Sequence, residues 1–187
     1  MRVSGTKKLT VRDMAEVGLF TAVLVICSWI SIPATVPFTL QTLAIFLATG
    51  LLGTRKAVAA VIVYILLGAA GVPVFSGFRG GIGSILGPTG GYMIGFIPAV
   101  MIAGDGIKRF GRSFPVMAAS MAAGLIVCYA FGTLWFAFVY TGAANAPGIG
   151  SILSMCVLPY IVPDAIKICV AVIMSRRIYP LIRKNSA

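Results

Sequence analysis

The chain has 187 residues, 59% of them hydrophobic and 10% charged, with fifteen lysines and arginines, four carboxylates and no histidine. A mean hydropathy of +1.04 excludes a water-soluble globular domain, and the missing histidines leave little from which to build a metal centre or an acid–base pair. The net charge of +11 does not imply nucleic acid as a partner, because the cations flank apolar blocks instead of forming a face and so suit the headgroups of a lipid bilayer.

Residues 17–54, 57–78, 80–104 and 113–163 carry no charge. A spanning helix needs about 20 apolar residues, so these blocks hold roughly six crossings. Thirteen cations fall in four clusters: Arg2, Lys7, Lys8 and Arg12; Arg55 and Lys56; Lys108, Arg109 and Arg112; and Arg176, Arg177, Arg183 and Lys184. Cytoplasmic loops keep an excess of Lys and Arg, which puts all four clusters and both termini inside. The expected fold is an all-α integral membrane protein with six transmembrane helices and cytoplasmic N and C termini. It forms a single membrane domain over 1–187, with a cytoplasmic N-terminal segment (1–13), a six-helix bundle (14–183) and a cytoplasmic tail (184–187).

The first helix is expected over 14–32. It is longer than a signal h-region and no small-residue cleavage site follows it, so it reads as retained. Residues 33–39 form an outer turn with prolines at 33 and 37. The second helix, about 40–53, is only about 21 Å long, which implies a thinned position or an outer end inside a protein cavity. The third covers 57–70. A loop over 71–91 carries eight glycines together with Val74, Phe75, Phe78, Ile82, Ile85 and Leu86. Such a segment folds back as a lid or dips into the outer leaflet, since backbone at membrane depth must be buried in protein or line a cavity. The fourth helix covers 91–105 and the fifth 114–141, followed by a turn-rich outer loop to 150. Proline favours the first turn of a helix, so the sixth is expected to start near Pro163 and end near Arg183, leaving 151–158 as a short outer helix or re-entrant piece.

Two cations escape the inner clusters. Lys167 follows Asp164 by three residues, on one face of the last helix. An embedded charge is expensive, and the pair reads either as a mutual salt bridge, as a polar floor for a bound solute, or as a proton relay. Arg79 lies between Gly77, Gly80 and Gly81, either solvated or clamping an anionic group beneath the loop. Gln41, Thr42, Tyr92 and Asn145 are further polar candidates, each with an alternative as a cap or anchor. Trp29, Trp135 and Tyr140 suit an outer aromatic belt. Ala15, Gly18 and Ala22 form a small-residue stripe on the first helix that lets another helix approach closely. The four cysteines lack CxxC spacing and read as inert buried thiols. No GxxxxGK[ST] stretch is present, so the chain has no P-loop ATPase of its own.

Three segments carry a family resemblance: VPFTLQTLAIFLATGLLGTRKA (36–57), YILLGAAGVPVFSGFRGGIGSILGPTGGYMIGF (64–96) and LPYIVPDAIK (158–167). With the six-helix layout, they resemble BioY, the biotin-specific S component of energy-coupling factor (ECF) transporters. The resemblance implies an S-component fold with a Gly-rich outer lid between helices 3 and 4, in a prokaryotic cell membrane. It implies high-affinity capture of biotin at the outer face, and delivery with a transmembrane coupling subunit and two ATPase subunits. It also implies that Asp164 and Lys167 serve the ligand, that the stripe around Gly18 docks the coupling subunit, and that no cofactor is needed. A glycine stands at 18 where the family usually has alanine. Phe75 and Phe78 are expected to wall the apolar part of the ligand. Two other classes compete: a stand-alone proton-coupled transporter of a small carboxylated solute using Asp164, and a membrane enzyme.

Overall fold

The computed structural model describes residues 10–34, 36–140 and 148–184. Its first helix, α1 (Val11–Trp29), opens on a capping box in which Thr10 and Asp13 satisfy each other's backbone and side-chain groups. The bonds from the Thr10 backbone and hydroxyl, with a contact from Lys56, hold the Asp13 carboxyl down at about 2. Val17, Phe20, Thr21, Leu24 and Ser28 recur at three- and four-residue spacing and form the buried stripe of α1. The Lys56 ammonium bridges Asp13 and Glu16, tying the start of α1 to the next helical pair.

The outer turn after α1 is a two-stranded hairpin, β1 (Ser31–Ile32) paired antiparallel with β2 (Phe38–Thr39). It leads into α2 (Gln41–Leu52). Gly53 takes φ +80°, a left-handed conformation open to glycine, and lets α3 (Thr54–Ala69) begin at once. Helix α2 is apolar all round, with Ala44, Ile45, Phe46, Ala48, Thr49, Gly50 and Leu51 buried. Its shortness has the second of the two expected causes: Gln41, at its outer end, lines a protein cavity.

The glycine-rich segment contains a short α4 (Ile82–Leu86) before α5 (Gly90–Phe110) and α6 (Phe114–Tyr140). Helices α5 and α6 approach closely because glycines face bulky partners. A Cβ on Gly91 would come within 2.2 Å of Trp135 Cβ, and one on Gly132 within 2.2 Å of Tyr92 Cδ1. The short outer helix expected over 151–158 is α7 (Ile149–Cys156).

The last helix, α8 (Leu158–Lys184), starts five residues before the position expected from Pro163 and encloses that proline. Pro159 occupies the first turn instead, where a missing N–H costs nothing. Pro163 then forfeits a single i→i−4 bond inside a helix that packing holds together.

Three stretches are long and apolar enough to cross a membrane: Gly90–Phe110, Phe114–Val139 and Gly150–Ile182. Residues Leu134, Phe138, Val162 and Ile166 on the outer faces of α6 and α8 are more than half exposed. Large apolar side chains so placed in a chain of this composition face lipid.

Candidate functional site

One end of the bundle, that of the hairpin, holds a cavity of about 390 Å³. It is bounded by the hairpin, the outer ends of α2 and α3, the 75–89 segment, and α5, α6, α7 and α8. Asp164 and Lys167 form its polar floor, 3% and 7% exposed. One turn apart on α8, they make an ion pair of 2.7 Å between Lys167 Nζ and Asp164 Oδ1. Burial strips both charges of hydration, and such a pair is tolerable only when further bonds satisfy it.

Those bonds come from separate elements. Thr42 on α2 donates its hydroxyl to Asp164 Oδ1 at 2.9 Å, and Tyr129 on α6 donates to Oδ2 at 2.5 Å. Lys167 donates to the Thr39 carbonyl at 2.7 Å and sits 4.0 Å from the centroid of the Phe38 ring. The ammonium, with three donors, thus has Asp164, Thr39 and an aromatic face around it. Oδ2 accepts a hydrogen bond from Tyr129, and a carboxylate oxygen can accept a second.

A second polar group lies beside the floor. Gln41 Nε2 donates to Tyr64 Oη at 2.5 Å, and its Oε1 accepts from Thr39 Oγ1 at 3.1 Å. Tyr64 is fully buried and meets Phe75 edge-on, with ring centroids 5.5 Å apart. Phe75 in turn fills the space above Gly68, where a Cβ would lie 1.9 Å from Phe75 Cζ. On the opposite wall, Tyr92 Oη and Thr133 Oγ1 share a hydrogen bond of 3.3 Å. Met93, Phe96, Cys128 and Cys156 supply apolar lining, and the two cysteines are free buried thiols.

Arg79 lies at the mouth, exposed, lining the cavity and without an ion pair among the described residues. Of the residues named from sequence, Asp164, Lys167, Arg79, Gln41, Thr42 and Tyr92 therefore surround one space. Asn145 lies outside the described residues, as does the side chain of Tyr140. One expectation is corrected. Phe78 does not wall the cavity: it is 64% exposed and stacks on Trp29, because the turn that carries it faces its ring outward. The two tryptophans do more than anchor in an interface, since Trp29 Nε1 bonds the Pro73 carbonyl and Trp135 Nε1 the Gly87 carbonyl.

Sequence reasoning gave no site role to Tyr64, Tyr129 or Tyr160. The signal was present for the first two: each is a hydroxyl-bearing ring near the middle of an apolar stretch, where an aromatic belt gives it no purpose. Tyr160 bonds the Val36 carbonyl and stacks on Phe38 with centroids 6.3 Å apart, pairings that only the tertiary structure creates. Among the described residues no group of His, Cys, Asp and Glu could hold a metal ion.

A bundle of lipid-facing helices enclosing a ligand-sized cavity, with fixed polar groups on an apolar lining, is the build of a membrane solute-binding protein. The chain belongs to the BioY family, whose model matches residues 3–184. It is 39% identical over 171 residues to the "Biotin transporter BioY" of Thermotoga maritima, covering 91% of this chain and 97% of that protein. Over 168 residues it is 38% identical to the "Probable biotin transporter BioY" of Pyrococcus horikoshii, covering 89% and 96%. Its fold matches the crystal structure of the S-component for biotin from an ECF-type ABC transporter, with a TM-score of 0.80, 28% identity and 94% of each chain covered. These relatives are transporters and a transporter subunit, and the chain is not an enzyme.

Proposed function

We propose that the chain is a high-affinity biotin-binding S component that captures its ligand at the outer face of the cell membrane and delivers it inward. A transmembrane coupling subunit and two ATPase subunits drive that delivery. The observation that carries the reading is the polarity of the cavity, which is lined both by a buried, anchored carboxylate and by an exposed guanidinium without an ion pair among the described residues. Biotin has the matching polarity. A ureido N–H is accepted by the carboxylate of Asp164, and Gln41, with one amide hydrogen beyond its bond to Tyr64, serves the ureido carbonyl. The thioether ring and the aliphatic chain lie against Phe75, Met93 and Phe96. The ligand carboxylate meets Arg79, a fork-to-carboxylate match. Lys167 is already fully engaged, so its part is to hold Asp164 and Thr39 in place.

Six crossings with both termini in the cytoplasm agree with the cation clusters and with the six longer helices α1, α2, α3, α5, α6 and α8. The 71–91 segment covers the cavity, with its first half stitched to α1 and α3. The docking face for the coupling subunit is Ala15, Gly18 and Ala22. All three are exposed, and nothing lies within 4 Å of a Cβ on Gly18. A stand-alone proton-coupled carrier is less well supported, because Asp164 is the single carboxylate lining the cavity among the described residues.

Calorimetric titration of the purified chain in detergent with biotin, without partners, tests the reading. Tight binding is expected, with Lys167→Ala weakening it at least tenfold, since losing one partner leaves a buried charge uncompensated at a cost of about 3–5 kcal/mol. Well-folded protein that ignores biotin would overturn the assignment.

A further inference from the structure

Away from the floor of the cavity, Arg79 is carried by a tight turn. Phe75 N donates to the Arg79 carbonyl at 2.9 Å, closing a three-residue loop of Ser76, Gly77 and Phe78. Gly77 and Phe78 both adopt left-handed backbone, with φ of +71° and +56°. Glycine takes that conformation freely, but a bulky aromatic residue does not. Phe78 is the single non-glycine with positive φ among the described residues. A strained residue persists where its surroundings over-determine it, and here the surroundings are the end of α1. The Phe78 ring stacks on Trp29 at 5.0 Å between centroids and 29° between planes. The same Trp29 donates Nε1 to the Pro73 carbonyl at 2.9 Å, and its neighbour Ser28 donates Oγ to the Val74 carbonyl at 2.5 Å. Three contacts from two consecutive residues of α1 thus hold the segment that precedes the turn and the ring at its tip.

The consequence is directional. Phe75 points into the protein and Phe78 out onto Trp29, so Arg79, the next residue, is left lining the cavity mouth. We infer that the Trp29–Phe78 stack is a positioning device for Arg79 and thereby sets the preference of the site for a ligand with an anionic end over its neutral analogue. The inference rests on the reading in which Arg79 meets the ligand carboxylate. As plain membrane anchors, Trp29 and Phe78 would have no influence on which end group the cavity accepts.

The test titrates wild type, Arg79→Ala, Phe78→Ala and Phe78→Tyr with biotin and with biotin amide, whose end group is neutral. Wild type should favour the acid by about tenfold, and Arg79→Ala should abolish that preference. Phe78→Ala should lose it too while keeping wild-type affinity for the amide, and Phe78→Tyr, which retains a stacking ring, should restore it. If Phe78→Ala keeps the acid preference, or weakens both ligands equally, the positioning role is overturned and the reading of Arg79 stands. If wild type and Arg79→Ala fail to distinguish acid from amide, the reading of Arg79 falls and the inference with it.

Discussion

Asp164 takes bonds from three helices at once, and each donor restricts how it can turn. Tyr129 is the least obvious of them, a ring in a long uncharged stretch whose hydroxyl alone touches Oδ2. Replacing it with phenylalanine keeps the ring and removes the bond. A hydrogen bond to a charged acceptor is worth about 1.5–3 kcal/mol, so Tyr129→Phe is expected to lower the melting temperature by several degrees and, by freeing Asp164, to weaken biotin binding about tenfold. Calorimetry beside a thermal melt separates the two quantities, and unchanged affinity would mean that Oδ2 needs no holding. At this scale the embedded acid and base were legible from sequence, because a charge inside an apolar run has few innocent explanations. Their partners were not. Thr39 contributes through a main-chain carbonyl, and main chain leaves no mark on residue type.

Helices α5 and α6 owe their closeness to the absence of side chains at Gly91 and Gly132, against which Trp135 and Tyr92 lie. Tyr92 is thereby pressed between two helices with its ring on the cavity wall. Gly132→Ala would put a Cβ where a rigid ring already sits, an overpacking that costs about 1–3 kcal/mol. The expected outcome is a lower melting temperature together with weaker biotin binding, because Tyr92 moves from the wall. A melt shift without any effect on the ligand would separate the helix contact from the site. Element positions were readable from charge-free stretches and basic turns. The start of α8 was not, because proline is compatible with a first turn and also, at one lost bond, with an interior held by packing. The β1–β2 hairpin was missed for a related reason: a two-residue strand has too few residues to show a period.

For the whole molecule, the proposed ligand site and the proposed docking face fall in separate regions. The cavity lies between α2, α5, α6 and α8, whereas Ala15, Gly18 and Ala22 face outward on α1 with open space beside Gly18. Gly18→Leu should therefore leave biotin binding by the isolated chain intact, and should reduce co-purification with a transmembrane coupling subunit. Loss of ligand binding with assembly preserved would invert this division. The structure also shows where the two regions meet. Ser28 and Trp29, at the C-terminal end of the same helix, hold the segment that carries Arg79.

Membrane residence and the positions of the long helices followed from the amino-acid order alone. A low-dielectric solvent demands uncharged runs of set length and leaves cations at one end of each, a constraint written along the chain. The pair Asp164 and Lys167 was exposed by the same constraint. What the tertiary structure decided was which groups meet. Lys167 is spent on Asp164, Thr39 and Phe38, Phe78 turns out to Trp29 while Arg79 lines the mouth, and Tyr129 reaches a carboxylate 35 residues away. Such contacts join distant parts of the chain through packing, and packing depends on shape in three dimensions, which residue type and spacing do not encode one position at a time.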